Sequence, residues 1–207
     1  MTATGALPLG QAAQLLGCYR WMEHRLFELT GAWASEMPLP AAQVLLAESS
    51  FQHAWHAQLF AERLPALDGI DHQILTRPFG PAVAPLFAAL AGEQPGDGPD
   101  DPLGAARGVV QRLVGLHRVV LPRLVTTYDR HLELTTPATD GPTVRALTLA
   151  RTDLVATWRA GETLLQEILA RPHDVAAAAA AAQRLEGVVV ATGVGAGLVP
   201  LPSPHPL

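Results

Sequence analysis

Side chains that could do acid–base or metal chemistry are concentrated in one short stretch of the chain. The segment LLAESSFQHAWHAQLF, from Leu45 to Phe60, carries Glu48, His53 and His56 within less than four helical turns. Carboxylates and imidazoles are ligands of transition metals, and they are also the groups that most often move protons in enzymes. The stretch therefore indicates either half of a metal site or an acid–base site on one helix.

Helical periodicity predicts which of these side chains face the interior. At about 100° per residue, Glu48 falls on the same stripe as Val44 and Trp55, so we expect its carboxylate to be buried. His56 falls to one side of that stripe, at the margin of the expected pocket. His53 falls further round, and the pattern predicts a surface or subunit-contact position for it.

Three other helical patterns place polar groups beside or within apolar stripes. On the first helix Glu23 lies beside the stripe, whereas His24, Glu28 and, on a later helix, His131 are expected on solvated faces or in ordinary pairs. A later stripe contains His117 at its centre and Tyr128 near its end. The next stripe is interrupted by Arg151 and Glu162, which carry opposite charges. The candidate inward set is thus Glu48, His117, Tyr128, Arg151 and Glu162, with Glu23 and His56 at its margin.

Opposite charges inside a helical core favour a polar pocket over a metal cage. An isolated buried charge is unstable, so Arg151 is expected to pair with Glu48 or Glu162, where it replaces the positive charge that a metal would supply. Burial would raise the pKa of Glu48 and make it a competent base, and the planar guanidinium of Arg151 would hold an anionic group. An inert internal ion pair and, for His117, a hydrogen-bonded core position are the alternatives.

These observations predict a metal-independent enzyme that acts on a small molecule with an anionic group. The expected catalytic residues are Glu48, His117 and Glu162, and the expected substrate-binding residues are Arg151, Tyr128, His56, Glu23, Trp55 and Gln52. No cofactor is predicted.

Composition limits the class of protein. The chain of 207 residues is long enough for one large domain, and its net charge of −5 argues against a nucleic-acid footprint. Every one of its 14 basic residues is Arg, a bias typical of high-GC bacteria. The single Cys18 excludes an internal disulfide and is expected to be an inert buried thiol. Neither a signal peptide nor a membrane span is evident, so a cytoplasmic protein is expected.

The chain alternates helical patterns with proline and glycine, and we expect an all-α fold of one domain. The predicted helices run over about 11–36, 41–64, 103–134, 142–170 and 174–190, the third with a possible kink at Pro122. The connection 65–102 should contain one short helix, about Ala82 to Ala91, and it is long enough to close over the pocket as a lid. A tail over 193–207 is expected to be poorly ordered.

Loop lengths predict how these helices are connected. Short connections between the first two and between the third and fourth helices, with a long one in between, are typical of ferritin-like four-helix bundles with a crossover. YRWMEHRLFELTGAW followed by LLAESSFQHAWHAQLFAERLP also resembles the first helical hairpin of ferritin-like proteins found in actinobacteria. The resemblance implies such a bundle with a short fifth helix and a role in small-molecule biosynthesis of specialised metabolism.

The sequence departs from the di-iron members of that superfamily. They supply a Glu-x-x-His motif from each of two helices, but Phe51 stands three residues after Glu48 and Leu165 three after Glu162. An iron-dependent oxidase or oxygenase with a non-standard site remains the alternative, with Glu23, Glu48, His56, His117 and Glu162 as its ligands. A non-catalytic binding or scaffold subunit and a ligand-storage protein are further alternatives. A homodimer or a complex with a partner subunit is expected, without nucleic acid or membrane.

Overall fold

The described part of the protein is entirely helical. The computed structural model describes residues 7–66, 68–92 and 102–201, with 102–107 described as backbone only. Its helices are α1 (Leu9–Glu36), α2 (Pro40–Ala61), α3 (His72–Leu75), α4 (Val83–Ala91), α5 (Pro102–Val114), a π-helical segment (Gly115–Val120), α6 (Leu121–Glu133), α7 (Pro137–Ile168) and α8 (Pro172–Val190). The predicted all-α class is confirmed, since no strand occurs among the described residues.

Proline and capping residues set where the long helices begin. Pro40 and Pro137 occupy the first positions of α2 and α7. The N–H that proline lacks would have no helical acceptor at this position. Thr136 caps α7 through a reciprocal pair of hydrogen bonds with Thr139. Gly92 ends α4 with a φ of 78°, a left-handed conformation that glycine adopts without steric penalty. In α7 the backbone leaves the helical conformation at Asp140 (φ −156°, ψ 70°), and Asp140 Oδ1 accepts from the N–H of Thr143, so the long part of α7 begins at the DGP sequence, as predicted.

The π-helical segment sits where the sequence predicts one helix with a possible kink at Pro122. The N–H of Leu121 donates to the carbonyl of Leu116, five residues back, which is the π-helical pattern. Pro122 follows directly and has no N–H to donate, so a regular α-helical ladder cannot continue through it. The single predicted helix over 103–134 is thus α5, the π segment and α6.

The long helices of the described residues pack around a common core. Helix α1 packs along α2, α2 contacts α7, and α7 packs against α6 and the π segment. Helix α8 covers α5 and the π segment on another side and contacts α4. A continuous cluster of buried apolar side chains joins these elements. The ferritin-like order of the bundle and its division into a single domain stay predictions.

The connection and the tail differ in part from what the sequence predicts. The predicted short helix in the connection is confirmed as α4, while 93–101 lie outside the described residues and a lid stays a prediction. The expectation of a poorly ordered tail is wrong for 193–201. Leu198 and Val199 are buried, the N–H of Leu198 donates to Thr127 Oγ1 at 2.8 Å, and Arg123 donates to the carbonyl of Gly195 at 3.0 Å. Residues 202–207 lie outside the described part.

No described helix combines the length and the apolar character that crossing a bilayer requires.

Candidate metal centre

A fully buried carboxylate lies at the centre of a polar cluster in the bundle. Glu23 of α1 has no exposed surface, and its Oε2 accepts from His53 Nδ1 at 2.6 Å and lies 3.4 Å from His56 Nδ1. Its other oxygen, Oε1, accepts from the hydroxyl of Tyr128 at 2.6 Å. His53 and His56 are also buried. Side chains from α1, α2 and α6 therefore meet at one carboxylate.

The surroundings of Glu23 hold it in the ionised form. Burial on its own would raise the pKa of this carboxyl, but His56 and His53, by their charge and their hydrogen bonds, outweigh burial and lower the pKa to about 2. For His56, burial acts to lower the pKa, and Glu23 together with Asp153 raises it above its ordinary value. The cluster thus contains a stable anion with two imidazoles directed at it.

A second layer of side chains orients the first. Asp153 of α7 is partly exposed and accepts from His56 Nε2 at 3.1 Å, so both nitrogens of that ring have carboxylate partners. Tyr19 donates from its hydroxyl to His131 Nδ1 over 3.0 Å, and its ring packs edge-on against Tyr128. These contacts fix which way His56 and Tyr128 face.

One carboxylate and two imidazoles here have the arrangement of a metal-ligand set. Glu23, His53 and His56 each place a ligand atom within 4.8 Å of the other two, and all three are buried. A two-histidine, one-carboxylate set with open positions is typical of non-haem Fe(II) sites. Histidine ligands ordinarily give their second N–H to a carboxylate, as His56 does to Asp153. The arrangement can therefore hold one divalent transition-metal ion.

His117 lies near this cluster and has no hydrogen-bond partner among the described residues. It is fully buried in the π segment, and both of its ring nitrogens are unpartnered, as is Nε2 of His53. Its Nδ1 edge lies against Gly161 of α7, where a Cβ atom would be only 2.0 Å from Nδ1. Burial, and then the nearby His53, lower the pKa of His117 to about 4, so the ring is neutral at pH 7.

The buried face of α2 is polar in its middle, between the buried Leu46 and Phe60. This part buries Ser49, Ser50, His53 and His56, whereas apolar Phe51 is 77% exposed. A helical wheel that turns the apolar side inward is therefore wrong for this part of α2. This explains why the sequence predicts a surface position for His53 and only a marginal one for His56.

The predicted inward position of Glu48 is wrong. Glu48 is exposed, and its stripe neighbours Val44 and Trp55 are 58% and 42% exposed. Trp55 therefore does not line an internal pocket. Gln52 lies partly buried beside α7, where it accepts from Thr157 Oγ1 at 2.6 Å.

The predicted internal charge pair on α7 is also wrong. Arg151 pairs with Asp129 at the surface, its side chain 41% exposed. Glu162 pairs with Arg118 in a two-pronged contact of 2.9 and 2.8 Å, on a groove of about 490 Å³ that Trp158 also lines. The buried stripe of α7 runs instead through Ala150, Leu154, Thr157, Gly161 and Leu165. Arg151 does not replace a metal's charge in the core.

Other placements divide between confirmed and wrong. The buried positions of His117, Tyr128 and the Cys18 thiol are confirmed, and burial raises the pKa of Cys18 to about 12. The surface position predicted for His53 is wrong, since it is 1% exposed. For His131 the solvated face is wrong and the ordinary pair is confirmed, since it is buried and hydrogen-bonded to Tyr19. His24 and Glu28 are exposed, as expected.

Sequence reasoning missed two contributors on α7, Asp153 and Gly161. Asp153 is half-exposed and carries no motif, so no sequence signal marks it as the partner of His56. For His53 and His56 a signal existed, because residues three apart in a helix lie on the same face. A His-x-x-His pair opposite a core glutamate on the preceding helix could have predicted the cluster.

Comparison with known proteins gives no identity. No protein-family description matches the chain, and neither the curated proteins nor the solved structures include a significant match. The ferritin-like resemblance therefore stays a prediction, and the function has to be argued from the site.

Proposed function

We propose that this protein binds one divalent transition-metal ion, with Fe(II) as the best match, through Glu23, His53 and His56. We propose further that it uses this ion in the oxidation or oxygenation of a small molecule. The observation that carries the proposal is the convergence of these three buried side chains, with one ligand atom of each within 4.8 Å of the others. Carboxylate and imidazole donors in this ratio suit non-haem iron.

Charge balance supports a divalent cation at this position. Glu23 and Asp153 both contact His56 and together supply two negative charges, which a divalent ion between neutral imidazoles would neutralise. Without an ion, the same charges need a protonated imidazole in the core, and buried ion pairs gain little stability over apolar packing. Tyr128 and Asp153 hydrogen-bond to Glu23 and His56, and so supply the second layer of side chains that metal sites ordinarily have.

The metal-independent enzyme predicted from the sequence loses its main support. Its base, Glu48, is exposed, and its anion-binding group, Arg151, is paired with Asp129 at the surface. Of the alternatives, the iron-dependent one gains support, but with a different ligand set. Glu23 and His56 remain in it, His53 joins it, and Glu48, His117 and Glu162 leave it.

Metal uptake by matched variants tests the proposal. The metal-free protein is titrated anaerobically with Fe(II), and with Co(II) as a spectroscopic probe, and Glu23→Gln and His53→Gln are compared with wild type. The exposed neighbours on α1 provide the controls Glu28→Gln and His24→Gln. We expect one tight equivalent in wild type and both controls, and an affinity at least about 100-fold weaker in both site variants. Equal uptake by all five proteins would overturn the proposed site.

Oxygen consumption tests the reaction class separately. Fe(II)-loaded wild type, freed of excess iron, is mixed with oxygenated buffer that contains ascorbate as the electron donor for the reduction of O₂, and dissolved oxygen is followed with an electrode, with Glu23→Gln as the comparison. Consumption that depends on Glu23 is expected. Tight metal binding without any such consumption would contradict the oxidase or oxygenase assignment and leave a metal-binding protein.

The expected homodimer or partner complex is part of the proposal as well. Phe51, Val44 and Trp55 expose apolar surface along the outer side of α2, which supports association through that side. A monomeric mass by light scattering at micromolar concentration would contradict it.

A further inference from the structure

His117 is a buried polar group with no partner, and such groups are rare in folded proteins. Neither of its ring nitrogens has a hydrogen-bond partner among the described residues, although the side chain has no exposed surface. Native proteins satisfy buried donors and acceptors, so each exception calls for an explanation such as a bound ligand. His117 also lies within the π segment, and π-helical turns occur frequently at functional sites.

The geometry directs His117 towards His53. The atoms of its ring nearest to Gly161 are Nδ1, Cγ and Cε1, so Nε2 is the nitrogen turned away from α7. Gly161 lies one turn beyond Thr157 on α7, and Thr157 donates to Gln52, the residue before His53 on α2, so His117 and His53 lie at the same level of the core. Nε2 of His53 is the other unpartnered buried side-chain nitrogen in the described part of the chain. The unpartnered nitrogens therefore belong to two histidines at the same level of the core.

His117 lies outside the ligand set itself. The atoms of Glu23, His53 and His56 that could hold one ion all lie within 4.8 Å of one another, and no atom of His117 belongs to that group. A site with three protein ligands keeps open positions for an exogenous ligand. His117 lies close to His53 but beyond ligating distance of the ion. It is therefore placed to contact an exogenous ligand that occupies an open position of the metal.

We infer that His117 binds a small anionic ligand held on the metal, donating a hydrogen bond to it from the side of His53. The inference rests on the proposed metal site. A neutral imidazole has one N–H to donate, and neither ring nitrogen of His117 has a partner among the described residues, so this N–H is free for a ligand. Azide, a small anion, is the probe.

Azide titration of the metal-loaded protein tests this role. His117→Leu replaces the donor with an apolar side chain of similar size, and His117→Gln retains an N–H donor. We expect azide affinity to fall about tenfold or more in His117→Leu, because hydrogen bonds to charged groups are the stronger ones. We expect His117→Gln to recover part of that loss, and metal affinity to stay as in wild type in both variants.

Each other outcome identifies what is wrong. If wild type takes up no metal, the proposed function fails and this inference fails with it. If metal binds but azide affinity is the same in wild type and His117→Leu, only the inference about His117 is wrong. If His117→Leu loses the metal itself, His117 is a ligand of the ion and the inference is also wrong.

A stability measurement separates this role from a purely structural one. A structural histidine would be needed for folding, so the metal-free His117→Leu protein would melt at a lower temperature than metal-free wild type. A ligand-binding histidine without internal partners predicts an equal or higher melting temperature, because removing an unpaired buried polar group is not destabilising. A lower melting temperature would contradict the inference.

Discussion

Gly161 of α7 and the imidazole of His117 are in direct contact, and the contact leaves no room for a side chain at 161. A Cβ atom there would lie 2.0 Å from Nδ1 and 2.2 Å from Cγ of His117. Gly161 is buried in the middle of a long helix, where alanine is ordinarily preferred by up to about 1 kcal/mol. The glycine is therefore explained by the position of the imidazole and not by the backbone of α7.

Gly161→Ala should destabilise the protein even though alanine favours helices. The added methyl group has to displace a buried ring, and such overpacking lowers the free energy of unfolding by about 2 kcal/mol. Gly187 in α8 is the matched control, since nothing lies within 4 Å of a Cβ atom there and Gly187→Ala should be neutral or stabilising. Urea unfolding of the three proteins checks this. A Gly161→Ala variant as stable as Gly187→Ala would show that His117 is not held against α7.

Asp153→Asn should weaken metal binding without removing a ligand. Asp153 accepts from His56 Nε2 at 3.1 Å and so orients the imidazole and increases its basicity. Loss of such a partner lowers metal affinity roughly 10- to 100-fold. Competition titration with a chromophoric chelator measures the change. Asp129→Asn, which alters a partly exposed carboxylate that pairs with Arg151 of α7, is the control and should bind metal as wild type does. Equal affinities in both variants would refute the role assigned to Asp153.

Tyr128→Phe should cost more stability than Tyr19→Phe. The hydroxyl of Tyr128 donates to the ionised Glu23 at 2.6 Å, and its loss leaves a buried carboxylate oxygen short of a partner. Tyr19 donates to a neutral imidazole, for which about 1 kcal/mol is typical, against about 2 kcal/mol for a charged acceptor. Chemical denaturation of the metal-free proteins compares the two. The reverse order would mean that Glu23 is not ionised in the core.

The apolar pattern of the sequence predicts helix positions well where helix faces follow it. The stripe predicted around His117 and Tyr128 is buried, together with the apolar Leu113, Leu121 and Leu124 of the same helical stretch. This works because apolar burial dominates folding and repeats with the helical period. The same principle predicts all the long helices, although the π segment at Gly115–Val120 depends on Pro122 and on local packing that periodicity does not show.

The same apolar pattern does not predict most of the candidate site, because the site buries polar side chains and leaves an apolar one exposed. On α2 the polar His53 and His56 are inside and apolar Phe51 is outside, since the site's own hydrogen bonds compensate the burial of polar groups. On α7 the position of Gly161 is decided by a ring on another helix. Contacts between helices of this kind leave no periodic signal along the chain.

The protein should lose stability in mild acid, and His131 should account for a measurable share. Burial lowers the pKa of His131 to about 4, partly offset by Asp140, and Tyr19 donates to the neutral ring. The unfolded chain, with a histidine pKa near 6.5, binds this proton more readily than the folded one. The stabilisation is therefore complete above about pH 6.5 and is lost as the pH falls towards 4, by roughly 3 kcal/mol at most.

Urea unfolding of the metal-free protein at pH 7 and at pH 4 measures this loss. Since His117 has a lowered pKa as well, wild type alone does not isolate one residue, and the comparison needs His131→Gln, which cannot titrate. The variant should show a smaller decrease between the two pH values than wild type, whatever its stability at pH 7. His24→Gln, which alters an exposed histidine, should show the wild-type decrease. An equal decrease in wild type and His131→Gln would mean that the folded protein takes up a proton at His131 as readily as the unfolded chain does, so that its pKa is not lowered.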